Sequence, residues 1–186
     1  MTFSINQVKF TILNVYAPSK NDERSSFFAE LRKFLQTLDL QTCLIIGGDF
    51  NCTVNASFDQ NGPEPQPCTA KLFANIIAKY NLHDIWHVQH PSDRSYTWCR
   101  CLNNHVSLAR LDRIYVNSHL LHGVYKSDIV PSGFSDHSPA RVFIQLSKPR
   151  PGSFHWKFNN SFLENPNFIQ AFESFWTALL EQKLTR

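Results

Sequence analysis

The chain has 186 residues, of which 42% are hydrophobic and 18% charged, and its formal net charge is +3. This is the length of one domain, or of one domain with a tail, and the apolar fraction excludes a disordered or collagenous chain. No apolar run approaches the ~18 residues of a membrane span, and the first residues lack a secretory signal. The 5 cysteines are irregularly spaced, which is typical of free thiols in a reducing compartment. The composition therefore predicts a soluble intracellular protein.

The first part of the chain predicts a strand, a helix and a second strand. Residues 10–16 are rich in β-forming side chains, and Pro18 ends this strand. Asn21 is the predicted N-cap of a helix whose apolar residues recur every three or four positions up to Leu38. Residues 43–49 form an apolar run without alternation, which is typical of a strand that is buried on both faces of a sheet. This order of elements indicates an α/β fold.

The middle of the chain predicts one more helix and then short strands. An irregular loop over residues 51–67 contains Asn61-Gly62 and several prolines. Thr69 is the predicted N-cap of a second helix, which again has one apolar face. Five β-like segments follow, at residues 85–88, 95–99, 110–116, 125–130 and 140–146.

A change in composition near the end of the chain predicts a boundary. The segment 148–152 is rich in proline and basic residues, as linkers often are. We therefore expect a domain over residues 1–147 and a tail over residues 148–186. Within the tail, residues 167–183 have the apolar spacing of an amphipathic helix.

Four short polar groups stand where we expect strands to end. They are residues 14–16, 48–51, 110–113 and 135–138. In a sheet covered by helices, ligands bind at the carboxyl ends of the strands. A single aspartate at such a position is most often a turn or cap residue. The prediction of a functional site therefore depends on all four groups occurring in this order, and not on any one of them. Aspartates, a histidine, an asparagine and a tyrosine together suit the hydrolysis of a phosphate ester.

Five motifs in the same order resemble one known family. They are Asn14-Val-Tyr-Ala-Pro18, Gly47-Gly-Asp-Phe-Asn51, Ser95-Tyr-Thr-Trp98, Arg110-Leu-Asp-Arg-Ile114 and Ser135-Asp-His-Ser-Pro139. In these the chain resembles the endonuclease/exonuclease/phosphatase superfamily, and above all the endonuclease domain of non-LTR (LINE-type) retrotransposon polyproteins. The resemblance spans about Val8 to Gln145. It implies a partial four-layer α/β sandwich, with mixed β-sheets flanked by helices, followed by a helical tail.

The resemblance also implies catalytic roles for five residues. Tyr16 would contact the scissile phosphate. Asp49 would orient or deprotonate the attacking water, and Asn51 would bind a phosphate oxygen. Asp112 would pair with His137 and hold it toward the phosphate, so that His137 also binds substrate.

The same resemblance implies a metal ligand and a substrate surface. Asp136 would bind the metal, with Mg²⁺ or Mn²⁺ as the ion. Thr97 and Trp98 match a region that helps to shape the DNA-contacting surface of relatives. The implied substrate is DNA, cleaved by metal-dependent hydrolysis to leave a 3′-hydroxyl, as in retrotransposition or the repair of abasic sites. The implied location is the nucleus, otherwise the cytoplasm, with no membrane partner and with a downstream reverse-transcriptase domain in the parent protein.

The chain departs from the family pattern in one respect. The family places a strand with an asparagine and a strand ending in Gln-Glu before the tyrosine motif, and the glutamate is its principal metal ligand. No Gln-Glu pair occurs in this sequence. We therefore expect the amino-terminal half of the domain to be absent, the metal to be weakly held if at all, and the activity to be impaired or lost.

Other interpretations remain open at this point. The chain could be a non-catalytic retrotransposon remnant that binds DNA or protein, or a phosphoinositide or sphingolipid phosphoesterase of the same fold. Cys99, Cys101 and His105 could form half of a zinc site, although free thiols are the favoured interpretation. The histidines at positions 83, 87 and 90 are interpreted as surface or edge residues of a strand.

Overall fold

A computed structural model describes residues 1–5, 7–39, 41–62, 67–103, 105–145 and 163–184. The helices are α1 (Asn21–Gln36), α2 (Ala56–Asp59), α3 (Pro67–Lys79), α4 (Ile85–Gln89), α5 (Ser118–Leu121) and α6 (Pro166–Leu184). The strands are β1 (Thr2–Ile5), β2 (Val8–Tyr16), β3 (Cys43–Asp49), β4 (Leu82–Asp84), β5 (Trp98–Leu102), β6 (His105–Ala109), β7 (Asp112–Asn117), β8 (Val124–Ile129) and β9 (Ala140–Ile144).

The chain divides into two compact units, Met1–Lys148 and Pro149–Arg186. The first contains every described strand and α1–α5, and the second contains α6. The predicted tail helix is present as α6, whereas the predicted linker at 148–152 lies outside the described residues. That the two parts are separate domains stays a prediction. None of the described helices has both the length and the apolar character that a membrane crossing requires.

The largest sheet has five strands in the order β1-β2-β3-β7-β4. Strands β2 and β3 are parallel because α1 returns the chain between them, whereas β1, β7 and β4 each pair antiparallel with their neighbours. Two two-stranded sheets, β5-β6 and β8-β9, complete the described strands. The expected mixed α/β fold is therefore confirmed.

Both faces of the large sheet are covered near its centre. On one face, α1 and α3 pack on the sheet through an aromatic stack in which Phe73 lies between Phe28 and Phe50. The opposite face holds a smaller cluster around Phe10, Ile85 and Val116, with β8 and β9 packed against it. Adjacent residues of β3 enter different clusters, which is why this strand lacks alternation, as predicted.

Both predicted helix caps are wrong by a few residues. Helix α1 begins at Asn21 itself, with Lys20 at the cap position, and α3 begins at Pro67. A proline fits the first turn of a helix because its missing N–H would have no intrahelical partner there. The Thr69 hydroxyl instead donates to Asn21 Oδ1 at 2.8 Å, so the two predicted caps join α1 to α3.

The predicted strand at 85–88 is wrong as well. These residues form the short helix α4, whose N-cap Asp84 accepts a hydrogen bond from the backbone N–H of His87. The local cap outweighs the β-forming side chains that suggested a strand. The segment predicted at 95–99 forms a strand only from Trp98 onward, because Thr97 bonds to other parts of the chain.

A close approach of two strands requires a glycine at position 48. Gly48 has φ +137°, and a Cβ built there would lie 2.0 Å from the carbonyl oxygen of Val15 on β2. Parallel pairing of β2 with β3 therefore leaves no room for a side chain at this point.

We predict that Gly48→Ala destabilises the fold by more than the about 1–3 kcal/mol of the backbone strain alone, because β2 must also move away. Urea unfolding of the purified chain measures this difference. The matched control is Gly62→Ala, since Gly62 has no heavy atom within 4 Å of a built Cβ, and it should stay within about 0.5 kcal/mol of the wild-type. Equal effects of the two changes would contradict the steric explanation.

Candidate active site

Three of the predicted site residues lie side by side at one edge of the large sheet. Tyr16 ends β2 and is in register with Asp49 at the end of β3, and Asp49 is in register with Asp112. The expectation that Asp112 ends a strand is wrong, since it is the first residue of β7. Because β7 runs antiparallel to β3, its amino end reaches the same edge as the carboxyl ends of β2 and β3. The Tyr16 side chain is exposed there, beside the two carboxylates.

His137 and Asp112 form a hydrogen-bonded pair at this edge. The distance from His137 Nδ1 to Asp112 Oδ2 is 2.7 Å, and an ionised carboxylate requires Nδ1 to carry the proton. The other ring nitrogen, Nε2, is then the one that can face a ligand. Partial burial acts to lower the pKa of His137, but the hydrogen bond and charge of Asp112 outweigh it and raise the pKa above its ordinary value.

Asn51 holds the carboxylate of Asp49. Its backbone N–H donates to Asp49 Oδ1 at 2.8 Å, and its side-chain amide donates to Asp49 Oδ2 at 3.0 Å and to the carbonyl oxygen of Ala17 at 2.8 Å. The left-handed backbone of Asn51, with φ +46°, turns the side chain back in this way, and asparagine tolerates that conformation well. Both amide protons of Asn51 are thus used within the protein, which makes it a positioning residue for Asp49 in this arrangement.

Asp49 accepts a proton more readily than an ordinary aspartate because its pKa is raised. Its burial is the largest effect on the pKa of its carboxyl, and the nearby charge of Asp112 adds to it. Together they raise the pKa above the ordinary aspartate value, although Asn51, His137 and Arg113 act in the other direction. A carboxylate with a raised pKa is a more effective general base near neutral pH.

Asp136 lies on the exposed loop that leads into β9. Its Oδ2 accepts a hydrogen bond from Trp98 Nε1 at 3.1 Å, and its carbonyl oxygen accepts one from the backbone N–H of Cys99. Among the residues that the structure describes, no three His, Cys, Asp or Glu side chains are grouped so that they could hold a metal ion. Asp136 can offer one free carboxylate oxygen, so a bound Mg²⁺ would depend on substrate phosphates for most of its coordination.

Thr97 is fully buried and connects the two halves of the Asp112–His137 pair. Its hydroxyl oxygen accepts hydrogen bonds from the backbone N–H groups of Leu111 at 2.9 Å and Asp112 at 2.8 Å. Its carbonyl oxygen accepts one from the N–H of Ser138 at 2.7 Å. With 1% of its surface exposed, Thr97 acts here through the residues it positions, whereas Trp98 is partly exposed beside it.

Sequence reasoning assigned no role to the charged residues beneath the site. Arg110 and Arg113 are each 1% exposed, and Arg110 forms ion pairs with Asp59 and Asp84. Burial acts to raise the pKa of Asp59, but Arg113 and Arg110 outweigh it and lower the pKa. An arginine within a run of buried strand residues is a signal that could have predicted a buried acidic partner, because buried charges are paired. Nothing in the sequence around Asp59 indicated that it is the partner.

The other motifs do not form a common site. In the β5–β6 register His105 faces Leu102, whereas Cys99 and Cys101 face Leu108 and Val106, so the histidine and the thiols lie on opposite faces of the hairpin. The three histidines of the 83–90 segment have separate partners: His83 contacts Ser118, His87 contacts Asp59 and His90 stacks on Trp86.

The fold and this strand-edge cluster agree with a match to a known family. The family model described as endonuclease-reverse transcriptase matches residues 10–141, and the chain belongs to this family. The resemblance to the endonuclease/exonuclease/phosphatase superfamily and to retrotransposon endonuclease domains is thereby confirmed.

Individual relatives agree with this assignment. The Transposon TX1 uncharacterized 149 kDa protein of Xenopus laevis is 36% identical over 167 residues, which are 90% of this chain and 13% of that protein. An AP endonuclease from Archaeoglobus fulgidus superimposes with a TM-score of 0.64 at 16% identity, over 77% of this chain and 63% of its own. The endonuclease domain of TRAS1, a telomere-specific non-LTR retrotransposon, gives a TM-score of 0.60 at 17% identity, over 79% and 63% of the two chains. The chain thus spans a small part of the transposon protein and less than two thirds of the solved structures.

We predict that Thr97→Val loosens the backbone at Asp112. Valine has nearly the same shape but no acceptor, so two buried N–H groups lose their partner, at about 1–3 kcal/mol each. Thr97→Ser is the matched control, because it keeps the hydroxyl. Hydrogen exchange should show faster exchange at the Leu111 and Asp112 amides in the valine variant only, and equal exchange in both variants would refute the assigned role.

Proposed function

We propose that this site hydrolyses phosphodiester bonds in DNA, as the endonuclease part of a retrotransposon-type polyprotein. The Asp112–His137 hydrogen bond beside Asp49 carries this proposal. His137 is an oriented hydrogen-bond donor and Asp49 is a carboxylate base, and both lie at the same edge of the sheet. These are the two groups that the attack of water on a phosphate needs most. The names of the relatives support the substrate, since one is an AP endonuclease and another is a retrotransposon endonuclease domain.

In the proposed reaction, Asp49 accepts a proton from a water molecule that attacks the phosphorus. The P–O3′ bond breaks, and the 3′-oxygen takes up a proton from solvent, which leaves 3′-hydroxyl and 5′-phosphate ends. In its protonated form, which its raised pKa favours, His137 donates from Nε2 to a non-bridging oxygen, while Asp112 accepts from Nδ1 and holds the ring. The exposed Tyr16 hydroxyl contacts the same phosphate, and Asn51 keeps the Asp49 carboxylate in line with the water.

Asp136 is the proposed metal ligand, with Mg²⁺ or Mn²⁺ as the ion. Such an ion would neutralise charge on the phosphate. Because no three ligating side chains are grouped there among the described residues, the ion would be weakly held without substrate. We therefore propose that the chain by itself is a slow nuclease. Trp98 is the proposed substrate contact of the β5 region, and a nuclear location and a downstream reverse transcriptase are further proposals that follow from the DNA substrate and the family.

We predict that the purified chain slowly nicks supercoiled plasmid DNA in Mg²⁺ or Mn²⁺. His137→Ala should lower the rate about 10²–10³-fold, because the phosphate loses a positioned donor. The assay measures conversion to nicked circles whose ends a DNA polymerase can extend, which reports the 3′-hydroxyl.

His119→Ala is the matched control. His119 is exposed on α5, which follows the far end of β7, so its removal should leave the rate unchanged. A folded wild-type chain that does not nick DNA with either metal would contradict the proposed activity and favour the non-catalytic remnant. Nicking that His137→Ala leaves intact would contradict the proposed site.

A further inference from the structure

We propose that the buried ion pair of Arg110 and Asp59 is a positioning device that holds the segments flanking the two halves of the site in place, in addition to the β3–β7 pairing between them. One half is Asp49 with Asn51, and the other is Asp112 with His137. The inference rests on the proposed nuclease function, because it concerns the geometry that this reaction requires.

Arg110 binds Asp59 through two donors. Its Nε and Nη2 atoms lie 3.0 Å and 2.7 Å from Asp59 Oδ1, and both side chains are 2% exposed. Two donors of a planar guanidinium that converge on one oxygen leave the pair little freedom to move, and burial excludes water as a replacement partner. The backbone N–H of Arg110 also donates to the carbonyl oxygen of Asp59 at 2.7 Å. The position of Asp59 therefore fixes the chain two residues before Asp112.

The other oxygen of Asp59 holds the loop that follows Asn51. Asp59 Oδ2 accepts hydrogen bonds from the backbone N–H groups of Val54 at 3.2 Å and Asn55 at 3.0 Å. One carboxylate thus bonds to the arginine with one oxygen and to this loop with the other. The Asp59 side chain thus connects the loop after Asn51 with the segment before Asp112.

Arg113 adds a second connection between the same two segments. Its Nη2 donates to the carbonyl oxygens of Cys52 at 2.6 Å and Arg110 at 2.7 Å. Cys52 follows Asn51 directly, and Arg110 lies two residues before Asp112. Both connections therefore join the loop after Asn51 to the residue two positions before Asp112, and neither Asp59 nor the two arginines is one of the proposed catalytic groups.

Asp84 offers a control within the same cluster. It binds the same guanidinium, with distances of 3.0 Å from Nη1 to Oδ1 and 2.7 Å from Nη2 to Oδ2. Its carboxylate makes its other hydrogen bond to α4, through the backbone of His87, rather than to the loop after Asn51. Removal of either carboxylate charge disturbs Arg110. Of the two carboxylates, Asp59 is the one that also binds the loop after Asn51.

The test compares Asp59→Asn with Asp84→Asn in the plasmid-nicking assay. An asparagine at position 59 can present its oxygen to the arginine or to the loop amides, but not to both. We expect Asp59→Asn to lower kcat about 10²-fold with KM almost unchanged, since a displacement near 1 Å has an effect of this size on positioned groups. Asp84→Asn should lower kcat far less than Asp59→Asn, because Asp59 still joins the arginine to the loop, under conditions in which urea unfolding shows both variants to be folded. Equal losses of kcat in the two variants would overturn the proposal.

A second readout does not depend on activity. Hydrogen exchange should show faster exchange at the Asn51 and Asp112 amides in Asp59→Asn than in Asp84→Asn, relative to the core amide of Ile46. If Asp59→Asn does not fold, Arg110→Lys replaces it, because an ammonium keeps the charge but lacks the planar set of donors that binds Asp59 and Asp84 together. A wild-type chain that fails to nick DNA refutes the proposed function, whereas unchanged exchange at Asn51 and Asp112 refutes the positioning role.

Discussion

The antiparallel pairing of β3 with β7 is the constraint on which the rest of the site depends. It reverses the direction of β7 relative to β2 and β3, so that the beginning of one strand meets the ends of two others. Asp49 and Asp112 are 63 positions apart in the numbering and yet are neighbours in register. A shift by one residue would turn Asp112 to the other face of the sheet and separate it from His137.

The cluster of Arg110, Arg113 and Asp59 lies next to this edge and holds the site residues in place. The strand-edge carboxylates need a fixed spacing, and loops after strands are in general the mobile parts of a protein. Arg110, Arg113 and Asp59 meet this need from inside the protein, where pairing compensates the cost of burying charge. Asn51 and Thr97 are uncharged side chains that serve the same purpose through hydrogen bonds to the Asp49 carboxylate and to the backbone of Asp112.

Family membership and site geometry lead to the same chemistry by different routes. The family assignment rests on a sequence match over residues 10–141, whereas the Asp112–His137 hydrogen bond is a feature of the tertiary structure. Relatives of low identity share the fold, and their names supply the substrate class that we propose. The proposed metal site has the least support, because no three side chains that could bind a metal ion are grouped together in the described part of the chain.

The sequence by itself determined the α/β class, the order of the main elements and the motifs that meet at one edge. Apolar spacing and strand-ending residues are local signals, and they are strong in α1, β3 and α6. Both helix caps were predicted at the wrong residues, and the segment that forms α4 was predicted to be a strand. Thr69 instead bonds to Asn21 on another helix, which is a tertiary contact, and Asp84 caps α4 locally. Only the tertiary structure decided that Asp112 begins its strand, that Thr97 is buried and that Asp59 neutralises Arg110. Strand direction and ion pairing join residues that are distant in the chain, and no local pattern encodes such contacts.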